Sequence, residues 1–88
     1  MFKDNKEARR FERDVNGQIV YAAYRLDGDV LSITYVEAPQ ALRGSGEAGK
    51  LMEDIMAHAR ENKLKVIPIC AYAVSWLRRN QSYKDVLV

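Results

Sequence analysis

The sequence predicts an α+β domain in which a three-strand antiparallel meander is followed by a helix, a strand and a second helix. Three observations carry this reading. Two turn signals, Asn16-Gly17 and Asp27-Gly28-Asp29, each lie between segments of high strand propensity. A glycine-rich loop, "GSGEAGKL" (44–51), then leads into apolar residues at helical spacing. A short apolar strand and another helical pattern close the chain. With 88 residues, 48% hydrophobic and 30% charged, the chain is read as one domain, residues 1–88, with a modest core.

The turn signals delimit the strands "RRFERDV", "QIVYAAYRL" and "VLSITYVE". Alternation in the third places Leu31, Ile33 and Tyr35 on one face and Val30, Ser32, Thr34 and Val36 on the other. Pro39 restricts Ala38 to extended conformations, so "APQAL" is a connector into the glycine loop. From about Gly46 to Asn62, Ala48, Leu51, Met52, Ile55, Met56 and Ala59 form one helical face. Glu47, Lys50, Glu53, Asp54, His58 and Glu61 lie opposite, which places His58 at the surface. "KLKVIPIC" reads as a strand in which Pro68 implies a bulge or an edge. "AYAVSWLRRNQSY" reads as a helix with Ala73, Val74 and Leu77 inward and Trp76 flanking them, before a terminal "KDVLV".

The net charge of +2 comes from interspersed signs, and the pairs Arg9-Arg10 and Arg78-Arg79 lack interleaved aromatics. No nucleic-acid partner is expected. A lone cysteine, Cys70, excludes an internal disulfide framework and a multi-cysteine metal site, and fits a cytoplasmic setting. The charged N-terminus is unlike a secretory signal, and no apolar run reaches membrane-spanning length. Neither a membrane partner nor a metal is expected.

The loop matches three glycine signatures: a P-loop, a dinucleotide fingerprint and, with Arg43 in front, the R-x-x-G-x-A pattern of acyl-CoA binders. In each, glycines let the backbone approach a phosphate at a helix N-terminus. A P-loop needs a hydroxyl after its lysine, but Leu51 stands there. A dinucleotide fold needs an acid about 20 residues on, and 64–70 holds none. The meander before the loop suits the acyl-CoA pattern.

The chain resembles the GCN5-related N-acetyltransferase (GNAT) superfamily, and within it the short stand-alone YjdJ-like small acetyltransferases. The resemblance is strongest over "ALRGSGEAGKLM", "KVIPIC" and "RRNQSY". It implies the acyl-CoA N-acyltransferase fold, with a split between neighbouring strands that admits acetyl-CoA as co-substrate. It also implies that Arg43, Gly44, Ser45, Gly46, Ala48, Gly49 and Lys50 surround the CoA pyrophosphate, and that Ile69 lines the acyl arm. Tyr35, Ala71 and Asn80-Gln81-Ser82 depart from the residues usual in the small subfamily, and Glu47 brings a negative charge into the phosphate loop.

Acetyl transfer needs a proton acceptor for the amine, a polarised carbonyl and an acid for the departing thiolate. Backbone N–H groups around Pro68 and Ile69 are candidates for polarising the carbonyl. Glu37 is the candidate general base; its other reading is a solvated strand-end residue. Cys70 reads either as a nucleophile or as a small core side chain. Tyr72 and Tyr83 are alternative acids, and either ring could instead serve packing. The expected function is N-acetyl transfer from acetyl-CoA to an amine. The alternative is a non-catalytic acyl-CoA-binding or protein-interaction module that kept the fold.

Overall fold

A computed structural model describes all residues from Met1 to Val88. Its sheet has five strands in sequence order: β1 (Phe2–Asn5), β2 (Arg10–Val15), β3 (Gln18–Asp27), β4 (Val30–Glu37) and β5 (Lys65–Pro68). β1 to β4 are antiparallel neighbours, and β5 runs parallel to β4. A parallel neighbour requires a crossover, and helix α1 (Glu47–Glu61) supplies it. Helix α2 (Ala71–Arg79) follows β5, and a 3-10 segment, Gln81–Val86, completes the chain with a bridge from Leu87 to Val66.

The expected meander, loop helix, strand and second helix are all present. At the first turn, Asn16 and Gly17 both have positive φ, 53° and 84°, which is the twist a tight hairpin requires. β1 was not anticipated: its charged sequence lacks apolar alternation, and it is held by pairing with β2 and by Phe2, which stacks on Phe11 at 5.6 Å. The second helix stops at Arg79, four residues earlier than expected, and Asn80 caps it by donating its side-chain N–H to the Trp76 carbonyl.

Both helices cover one face of the sheet. Leu51, Met52, Ile55, Met56 and Ala59 of α1 are fully buried against Val20, Ala22, Leu31 and Ile33 of the strands, joined by Ala73, Trp76 and Leu77 of α2. Burial of each large side chain contributes about 1.5–3 kcal/mol, so this layer holds the helices in place. Two expected orientations are corrected. Trp76 is a core residue, because Gly49 of α1 has no side chain and lets the indole close in; Val74 is only half-buried. His58 is half-buried, with its ring edge-on to Phe11 at 5.3 Å, because β1 and β2 bring Phe2 and Phe11 beneath the last turn of α1.

A third correction matters most for the site. Tyr24 pairs with Ile33, but Ala23 pairs with Tyr35, so Thr34 is an extra residue on β4. Its hydroxyl donates to the Ala23 carbonyl. This bulge shifts the alternation by one. Leu31 and Ile33 face the helices as expected, but Tyr35 faces the open side of the sheet and is 49% exposed, while Val36 packs on the core.

Candidate functional site

β4 and β5 pair only from Val30–Lys65 to Ile33–Pro68. At that point the Ile33 carbonyl accepts the N–H groups of both Ile69 (2.9 Å) and Cys70 (3.3 Å), and β5 gives way to α2. The bulge at Thr34 bends β4 at the same level. Thr34 to Glu37 therefore continue with no strand on the β5 side, and the sheet splits there.

A cavity of about 520 Å³ opens at the split. One wall is the end of β4, Tyr35 to Ala38. The second is the loop, with Leu42, Arg43, Gly44 and Gly46, running into Ala48 and Gly49 of α1. Tyr72 of α2 closes the third side.

The loop conformation follows from its glycines. Gly44 and Gly46 have φ of 81° and 86°, and Gly46 is the N-cap of α1. Alternating positive φ turns successive amides to one side, and a helix start leaves its first N–H groups without intrahelical partners. The N–H groups of Gly44, Gly46, Glu47, Ala48 and Gly49 donate to no atom of the chain. All of these residues except Glu47 line the cavity. Such a row of oriented donors at a helix N-terminus suits a phosphate or pyrophosphate.

Glu47 would oppose an anion if it faced the cavity. Instead its carboxylate accepts from the Arg13 guanidinium at 2.8 Å, and Lys50 approaches at 3.5 Å. Arg13 also reaches Asp54 at 3.1 Å. The Arg13 hydrogen bond holds the Glu47 carboxyl below the usual carboxylate range and raises the guanidinium in turn. The negative charge is thus tied to β2, behind the loop.

The expected site residues divide into groups. Arg43, Gly44, Gly46, Ala48, Gly49 and Glu37 border the cavity, and Arg43 braces the connector by donating to the Ala38 carbonyl at 3.3 Å. Ser45 and Lys50 are exposed outside the lining; Ser45 donates its hydroxyl to the Leu42 carbonyl. Ile69 is half-exposed beyond the split. Cys70 is the N-cap of α2, its Sγ accepting the Ala73 N–H at 3.4 Å, and it too lies outside the lining.

Glu37 accepts a hydrogen bond from the Tyr35 hydroxyl, and that bond raises the phenol above its usual range. Burial pushes the Tyr72 phenol up, so its hydroxyl is protonated at neutral pH. The tyrosine alternatives separate clearly: Tyr72 borders the cavity, whereas Tyr83 stacks on Trp76 at 5.7 Å under Arg60. Arg13 and Tyr35 escaped the sequence reading. Arg13 is 34 residues from Glu47, so no local pattern links them, and Tyr35 looked like a core residue until the bulge turned it outward.

A split sheet, a cavity at the split and a glycine-built donor row form a cleft whose chemistry suits a phosphate beside an open strand edge. A family model described as GCN5-related N-acetyl-transferase matches residues 10–86, and the chain belongs to that family. The NMR solution structure of a GCN5-like protein from Staphylococcus aureus is similar over the whole chain and 87% of its own length, with a TM-score of 0.71 and 29% identity. Among curated proteins, none matches this chain.

Proposed function

We propose that this protein transfers an acetyl group from acetyl-CoA to an amine, as a short, YjdJ-like member of its family. The observation that carries the reading is the set of unpartnered N–H groups at Gly44, Gly46, Ala48 and Gly49 bordering the cavity at the β4–β5 split. Glycine at 44 and 46, where a side chain would meet open space, leaves room for a pyrophosphate to touch the backbone, which is the fit that CoA requires. Arg43 adds a cation at the mouth. The unpaired edge of β4 from Thr34 to Glu37 suits the amide-bearing pantetheine arm, which can pair with it as a strand would. A reducing, cytoplasmic setting fits the free thiol of Cys70.

Acetyl-CoA supplies an activated acyl carbon and a thiolate leaving group. The amine nitrogen forms its bond to that carbon as the carbon–sulfur bond breaks. Glu37 takes the amine proton, and the Tyr72 hydroxyl gives a proton to the departing sulfur. Both residues then re-equilibrate with solvent. Cys70 takes no covalent part in this scheme, since its sulfur serves as the cap of α2.

Isothermal titration with acetyl-CoA, followed by thiol release in the presence of amines, tests the reading. Saturable binding and amine-dependent thiol release support it, and absence of acetyl-CoA binding removes it. Binding without release for any amine would leave only the acyl-CoA-binding alternative.

A further inference from the structure

The helix-free face of the sheet carries an apolar patch that adjoins the cavity and extends beyond it. Tyr35, Ile67 and Ile69 are among the few large apolar side chains left exposed, at 49%, 36% and 50%. They fall together at the split. Ile67 pairs with Ser32, on the strand face away from Leu31 and Ile33, and Ile69 lies two residues further along. The bulge sends Tyr35 to the same side, where its ring lies 6.3 Å from that of Tyr21.

Glu37 stands at the edge of this patch, opposite Tyr21 in register. It has no cationic partner; its one hydrogen bond comes from Tyr35. Glu12, another acid on this face, is already satisfied by Arg10 at 2.6 Å and Asn5 at 3.0 Å. Arg43 brings an unpaired cation to one side of the patch, at the cavity mouth, while the Arg10 guanidinium, 4.5 Å over the Tyr21 ring, is already paired with Glu12. The surface therefore offers one free carboxylate, an apolar floor and one cationic side. A polycation meets repulsion on that side and finds a single acid, whereas a monoamine with an apolar body satisfies every element.

Resting on the acetyl-transfer reading, we infer that the acceptor is a small primary monoamine carried on an aliphatic or aromatic body. Its ammonium group lies at Glu37, and its body covers Tyr35, Ile67 and Ile69. Because Tyr35 and Glu37 also border the cavity, an amine held this way meets the acyl group from the face opposite the helices.

The experiment compares kcat/KM for straight-chain amines from ethylamine to hexylamine, phenethylamine, spermidine and a lysine-containing peptide at saturating acetyl-CoA. The expected result is a rise of roughly three- to fourfold per methylene until the patch is covered, with spermidine and the peptide far behind. Ile67→Ser, outside the cavity lining, should raise the amine KM about tenfold and leave the acetyl-CoA dissociation constant unchanged. A flat series, or a preference for spermidine or the peptide, overturns this inference while acetyl-CoA binding stands. A protein that does not bind acetyl-CoA by calorimetry fails at the earlier reading instead.

Discussion

The Arg13 guanidinium holds the Glu47 carboxylate at 2.8 Å, so a strand on one side of the α1 N-terminus restrains the one acid in the phosphate loop. Removing the guanidinium frees that carboxylate beside the donor row. Arg13→Ala should weaken CoA binding roughly three- to tenfold, the effect of a partly screened charge worth about 0.7–1.4 kcal/mol. Arg13→Ala combined with Glu47→Gln should recover most of the loss. Calorimetry with CoA and with pantetheine checks this, because pantetheine has no pyrophosphate and should bind all variants alike.

Tyr72 borders the cavity across from the β4 edge, and burial raises its phenol above the usual range, whereas the Tyr35 hydroxyl is engaged with Glu37. Tyr72→Phe should lower kcat on the order of 10²-fold while leaving acetyl-CoA affinity within about twofold, as expected for a lost proton donor. Pre-steady-state thiol release is the measurement. Equal losses in binding and turnover would make Tyr72 a binding residue instead.

Cys70 offers its sulfur to the Ala73 N–H, a cap rather than a cavity contact. Cys70→Ser should keep both fold and turnover. Cys70→Ala should cost about 0.5–1 kcal/mol in denaturant unfolding and still turn over. Inactivity of a folded Cys70→Ala, with an acetylated cysteine detected by mass spectrometry in the parent, would restore the nucleophile reading.

The Gly46 backbone sits at φ 86°, where a side chain is strained whatever space surrounds it. Gly46→Ala should lower unfolding free energy by about 1–2 kcal/mol. It should also weaken CoA binding, because relief of the strain turns the neighbouring amides out of line.

Tyr24 donates its hydroxyl to Asp4 at 2.7 Å, and burial together with that bond pushes the phenol up to about 12. A phenol raised in the folded state contributes stability that is fully present below its unfolded value of about 10 and is lost as pH rises through its folded value. Melting temperature should therefore fall between about pH 10 and pH 12. Tyr24→Phe, which has no proton to lose, should show a smaller decline over that window in a pH-resolved thermal scan.

Much of the architecture was legible because turn chemistry and helical periodicity are local. Asn16-Gly17 and the α1 pattern from Leu51 to Ala59 specify their elements without help from the rest of the chain. β1 was invisible for the opposite reason: its strand character comes from pairing with β2, not from its own residues. The sharp turns of the loop were legible in Gly44 and Gly46, since positive φ is a glycine property. The acid-restraining role of Arg13 and the outward turn of Tyr35 depend on contacts across the sheet and on one extra residue, which no local spacing reveals.

That extra residue gives the site an unusual sensitivity. A substitution at Thr34 leaves the count from Ile33 to Tyr35 intact, so the two faces of β4 keep their assignments. Deleting it would close the ladder into unbroken alternation, with Ile33 and Val36 still on the helix side and Tyr35 and Glu37 still on the open side, but it would remove the bend at the split. The protein should therefore accept many different residues at position 34, whereas shortening there would straighten β4 and narrow the split, so that the extra length rather than side-chain identity is what selection has to preserve.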